Sequence, residues 1–97
     1  MTLHAASPAL KFPLGRCVVT RAALAALSSL HLSGFSLLRR HVCGDWSELT
    51  PDNQAENAYA VEHGERVFSA YTVDGTKFYV ITEADRSATT IMLPDEY

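Results

Sequence analysis

A chain of 97 residues, 47% hydrophobic and 20% charged, suffices for one small domain with its own core and is too short for two. Its net charge of −3 excludes a general binder of the phosphate backbone, which needs a basic surface to release counterions. Two cysteines, Cys17 and Cys43, with no CxxC pair fit neither a zinc ribbon nor a dense disulfide scaffold, so a reducing cytoplasm is expected.

In chain order, residues 1–11 show no periodicity and contain Ser7-Pro8, which reads as a flexible arm ahead of a single domain over 12–97. The opening stretch lacks a basic segment followed by an apolar run, so no secretory signal is expected. The apolar stretch Ala22–Leu32 is too short for a membrane span and is interrupted by Ser28, Ser29 and His31. Gly15–Thr20 is β-prone, and Thr20 stands as the N-cap of a helix beginning at Arg21, with Ser33-Gly34 as its stop and turn. A second short helix is expected from Ser36 to Gly44, turning Leu37, Leu38, His41 and Val42 inward.

Thr50-Pro51-Asp52 is the clearest helix start: a capping hydroxyl, proline where its missing N–H costs nothing, and an acid facing the helix dipole. Gly64 is the stop; Ala55, Ala58, Tyr59 and Val61 are the expected inward side, and Asn53, Glu56, Asn57 and Glu62 the solvent side. Beyond Arg66 the period falls to two. Asp74-Gly75 suits a type I′ turn, which would set Val73 opposite Thr76, Tyr71 opposite Phe78 and Ser69 opposite Val80. Both faces of that hairpin are apolar, which places it inside the sheet with one side under helices and the other partly covered or used for contact. Thr89–Leu93 is a last strand closed by Pro94. The expected fold is α+β: β-α-α-α-β-β-β order, a four-stranded antiparallel sheet, and helices on one face.

Chemistry-bearing motifs are sparse. His41 and Cys43 lie two apart, a spacing that diverges on a helix, and no local pair of His and Cys has metal-ligand spacing. The five glycines are dispersed singly, so there is no phosphate-cradling loop. Neither enzyme nor cofactor is indicated. Charge says more: residues 1–49 hold five basic and two acidic side chains, residues 50–97 three basic and nine acidic. Two candidate partner-binding patches follow, Glu83, Asp85 and Arg86 in the last connection and Asp52, Glu56 and Glu62 on the third helix. Trp46 is either a core plug or an exposed anchor. Arg16, Arg21, Arg39 and Arg40 could cluster on a DNA-binding surface instead.

The segments FPLGR (12–16), GDW (44–46), DGT (74–76) and above all ITEADRSATTIMLPDEY (81–97) resemble a small family carried on plasmids, integrative elements and phages of proteobacteria. The resemblance covers 12–97 and brings no catalytic residues. It implies a counter-defence context, including anti-CRISPR proteins that cover an effector's positively charged nucleic-acid-binding surface. The expected function is therefore a non-enzymatic, protein-binding inhibitor from a mobile element, with no cofactor. Its partner would be a bacterial defence complex, such as a CRISPR effector, with a basic nucleic-acid-binding surface. A homodimer is left open by the exposed sheet edge, and the alternative is a small DNA-binding regulator of the element.

Overall fold

The computed structural model describes residues 10–97. The chain runs β1 (Arg16–Val19), α1 (Arg21–Ser29), α2 (Gly34–Val42), α3 (Pro51–His63), β2 (Val67–Val73), β3 (Thr76–Thr82) and β4 (Ala88–Met92), and ends in a 3-10 turn, Pro94–Glu96. That closing turn is an element the sequence pattern did not indicate. The expected arm falls, up to residue 9, outside the described residues. Its last residue, Lys11, is already tied down, its amide donating to Val42 O at 2.9 Å.

Local signals set the helix starts. Thr20 caps α1 by accepting from Ala23 N, and Thr50 caps α3 by accepting from Asn53 N. Helix α3 ends at Gly64, which takes the left-handed conformation at φ 69°. Helix α2 starts two residues earlier than expected: Ser33 is its N-cap, so Ser33-Gly34 opens a helix instead of merely ending one. The Asp74-Gly75 turn has positive φ at both positions, 47° and 83°, as type I′ requires, and the pairs Val73–Thr76, Tyr71–Phe78 and Ser69–Val80 form as that turn dictates.

The sheet is mixed, which corrects the expectation of a purely antiparallel one. Strand order is β1-β4-β3-β2; β2–β3 and β3–β4 are antiparallel, but β1 runs parallel to β4. Three helices separate β1 from the later strands, and a crossover of that length lets β1 return in either direction. Gly15 permits the close entry: at φ 64°, a Cβ there would stand 2.3 Å from Arg86 O, and the next amide, Arg16 N, donates to Ser87 O. The hairpin is therefore not wholly internal, because β2 forms an edge.

The main core packs Ala23 and Leu27 of α1 and Leu37 and Leu38 of α2 against Tyr71, Phe78, Val80 and Ile91 of the sheet. A second cluster, Phe12, Val42, Ala60 and Val67, seats α3, with Trp46 against it. Helix α3 is rotated relative to the expected orientation. Asn57, expected in solvent, is 4% exposed, whereas Ala55, Ala58 and Tyr59 are on the outside. Asn57 lies along the edge of β2, where its Oδ1 accepts from Phe68 N at 3.1 Å and its Nδ2 donates to Phe68 O at 2.6 Å. One side-chain amide thus replaces a neighbouring strand, which is reason enough to bury a polar residue.

Candidate functional site

A groove of about 520 Å³ lies between α3, the β2 edge and the C-terminal turn. The helical spacing of α3 sets Asp52 and Glu56 side by side on its exposed flank, and Glu56 lines the groove. Glu65 lines it too, from the connection into β2. Its walls are aromatic: Tyr59, 54% exposed, on α3, and Tyr97, 63% exposed, opposite. Tyr97 packs on the sheet's second face against Phe68 and Tyr79, with ring centroids 5.9 and 5.8 Å away. Tyr59 stacks on His63 at 3.8 Å and 13°. Arg66, the cation lining the groove, is committed: its Nη2 donates to the Tyr97 hydroxyl and its guanidinium lies 5.4 Å from that ring's centroid. The lining thus sets two carboxylates against one guanidinium, beside partly exposed aromatic faces. That combination suits a guanidinium or ammonium group by charge and by stacking.

The other sequence-predicted site residues take different places. Glu83 and Asp85 are exposed in the β3–β4 turn. The Ser87 hydroxyl and amide hold the Asp85 carboxyl below its ordinary range, and Ser87 N donates to Asp85 Oδ1 at 3.0 Å. Arg86 does not join them as a charge. Its guanidinium donates to four carbonyls, Glu65 O at 2.6 Å, Ala60 O at 2.9 Å, Glu83 O at 3.1 Å and Ala84 O at 3.2 Å. It thereby fastens the last turn of α3 to the β3–β4 turn, and it forms no ion pair among the described residues. Glu62 lines a separate crevice beside Trp46 and Lys11, while Asp52 stands exposed in the first turn of α3. Trp46 is half-buried against the second core cluster, and its indole Nε1 has no hydrogen-bond partner among the described residues.

A polar line crosses the helix-facing side of the sheet. His41 of α2 is fully buried, with Nδ1 2.6 Å from Ser69 Oγ and Nε2 2.8 Å from Thr82 Oγ1. Thr82 Oγ1 lies 2.6 Å from Thr89 Oγ1, which donates to Leu14 O at 2.7 Å. Because a carbonyl can only accept, the hydrogens are assigned backwards along the line. Thr89 gives its proton to Leu14 O, Thr82 gives to Thr89, His41 Nε2–H gives to Thr82, and Ser69 gives to Nδ1. The imidazole is neutral with both nitrogens satisfied, and burial pushes its pKa down to about 3. The Ser–His distance is that of a nucleophile and its base, yet both side chains are 0% exposed and no substrate can reach them. His41 and Cys43 form no bond with each other.

Nearby, Tyr71 donates its hydroxyl to Asp45 O at 2.7 Å, and burial pushes its pKa up to about 12. Arg40 lies 4.2 Å over the Tyr71 ring and pairs with Asp45 at 2.7 Å and Glu48 at 3.4 Å. It is thereby withdrawn from the set of arginines free to meet a phosphate. Among the described residues, no three His, Cys, Asp or Glu side chains gather in a metal-holding group, and no helix is long and apolar enough to cross a membrane. Comparison with family models, with curated proteins and with solved structures returns no significant match.

Proposed function

We propose that this protein is a non-enzymatic binding protein that covers a basic surface of a partner, gripping an arginine- or lysine-bearing element in the groove between α3, β2 and Tyr97. The observation that carries this reading is the pairing of Glu56 and Glu65 with the exposed rings of Tyr59 and Tyr97, two carboxylates set against the one positive charge of Arg66 among the groove's lining residues. Carboxylates raise the encounter rate with a basic surface, and aromatic faces supply the area from which interface hot spots are built. Taken with the resemblance to proteins of mobile elements, the partner is the nucleic-acid-binding surface of a bacterial defence complex, a CRISPR effector first among them. The protein would then act as an inhibitor by occlusion in the cytoplasm. The alternative, a small DNA-binding regulator, loses one of its four arginines to the Arg40–Asp45–Glu48 cluster.

The test is binding of the purified protein to a purified CRISPR effector, with target DNA as competitor. A 1:1 complex displaced by DNA is expected. Joint reversal of Glu56→Lys and Glu65→Lys should weaken it by tenfold or more, against less than threefold for Glu83→Lys with Asp85→Lys. Unchanged binding across both pairs refutes the groove. Salt-sensitive binding of the protein alone to DNA, lost when Arg16, Arg21 and Arg39 become alanine, supports the regulator instead.

A further inference from the structure

We propose that the open edge of β1, with the apolar crevice beside it, takes an extended segment of a partner chain as a fifth strand, and that this segment is apolar at its centre and acidic at its flanks. The backbone supplies the first reason. Arg16 N donates inward to Ser87 O and Thr20 N to Ile91 O, so by the alternation of the ladder the N–H and C=O groups of Cys17 and Val19 point away from β4. Those groups have no backbone or side-chain partner among the described residues. Strand β1 is a sheet edge. At the opposite edge, by contrast, Asn57 and Glu48 occupy the outward groups of Phe68 and the Thr72 amide.

The second reason is the crevice. Leu14, Cys17, Phe35, Leu38, Arg39 and Val42 enclose about 320 Å³ between β1 and α2, on the face to which Cys17 and Val19 point. A strand laid along β1 would send alternate side chains into it, the usual division of labour in strand addition: backbone bonds for affinity, pockets for choice. Phe35 stands 80% exposed at its rim.

Charge selects the occupant. Residues 1–44 contain no Asp or Glu. Arg16, Arg21 and Arg39 are all exposed around the edge. The nearest acid at the end of β1, Glu96, is held by Thr20 Oγ1 and Leu93 N. A two-fold pairing of β1 with a second copy would bring two sets of Arg16, Arg21 and Arg39 together, whereas a segment with acidic flanks meets them with opposite charge.

The probe is a randomised peptide library selected on the purified chain, followed by the affinity of an enriched peptide measured by fluorescence polarisation. Enrichment of apolar-centred, acid-flanked peptides is expected, with slowed hydrogen exchange at the Cys17 and Val19 amides on binding. Cys17→Pro removes an outward N–H without touching a ladder bond and should weaken binding by tenfold or more. Arg39→Glu, an exposed change that leaves the backbone alone, should weaken it by threefold or more and provides the answer if the proline variant does not fold. Enrichment blind to charge, or affinity unchanged by both variants, overturns the proposal. So does sedimentation of the free chain as a dimer that Cys17→Pro dissociates, since the edge would then belong to a second copy.

Discussion

The two edges of this sheet are finished in opposite ways. At β2, side chains from elsewhere stand in for part of an absent strand: Asn57 takes both backbone groups of Phe68 and Glu48 takes the amide of Thr72 at 2.9 Å, while Ala70 between them has no such partner among the described residues. At β1 the outward groups of Cys17 and Val19 are left without partners among the described residues. An edge strand is a standing invitation to pair, and natural proteins close it where pairing is unwanted. The β2 edge, covered at two of its three outward positions, is where the domain is consolidated, and the β1 edge is where it can still accept chain. Between them runs the line Ser69–His41–Thr82–Thr89–Leu14, which begins on β2 and ends one residue short of Gly15 at the entry to β1.

Cutting that line should have the largest effect on stability. His41→Ala removes a fully buried ring and strands the Ser69 and Thr82 hydroxyls, so a loss of about 3–5 kcal/mol is expected in urea unfolding. The same residue sets a pH dependence. Its folded pKa, about 3, lies below the unfolded value near 6.5, so between those values the unfolded chain binds a proton that the folded one refuses. Stability therefore falls on acidification, beginning near pH 6.5, with a slope of about 1.4 kcal/mol per pH unit well inside the window. Asp45, whose carboxyl is held low chiefly by Arg40, loses its contribution only once the pH falls below the ordinary carboxylate range near 4. Unfolding midpoints between pH 6.5 and 5 therefore isolate the imidazole, and His41→Gln should abolish the slope there while lowering stability throughout. A flat profile in the parent would mean that the line accommodates imidazolium.

Asn57→Ala comes next. It leaves Phe68 N and O without their partner and should cost about 2–3 kcal/mol. With β2 further uncovered, this variant should also associate as concentration rises, whereas the parent should not do so through that edge. Sedimentation velocity over a concentration series reads this directly. A variant that is destabilised yet monomeric would show that Asn57 holds α3 in place without guarding the strand.

What the sequence disclosed was local. Thr20, Thr50-Pro51 and Asp74-Gly75 each act within a few residues, and the caps and the hairpin register form as their chemistry requires. His41 was recognisable as inward-facing, but its partners Ser69 and Thr82 are 28 and 41 residues away, and no periodicity joins them. Asn57 departs from its sequence pattern for a physical reason: an amide on a weakly amphipathic helix has the signature of a solvent residue, and only the strand edge beside it gives it a buried role. The parallel placement of β1 was not legible because three helices separate it from β4, and a crossover of that length allows either direction. Of the candidate site, Glu56 lies in the groove, but Glu65, Tyr59 and Tyr97 were not singled out, because the segments carrying them meet only in the folded chain. Arg86 carried a misleading signal, since an arginine between acids suggests charge pairing where the fold uses it to collect carbonyls.

The smallest effect sharpens the comparison most, because it separates charge from hydrogen bonding at the closed edge. Glu48 has two jobs: Oε1 accepts from Thr72 N at 2.9 Å, and Oε2 meets Arg40 at 3.4 Å. The Arg40 pair is long and about one-third exposed, a geometry that contributes little, whereas the amide bond ties an edge strand. Glu48→Gln keeps an acceptor for Thr72 and gives up the charge, so it should cost no more than about 0.5 kcal/mol. Glu48→Ala gives up both and should cost about 1 kcal/mol. Hydrogen exchange at the Thr72 amide should accelerate in the alanine variant and stay near the parent rate in the glutamine one. Equal losses and equal exchange in the two variants would assign Glu48 to the Arg40 cluster, leaving Asn57 as the side chain that closes the β2 edge.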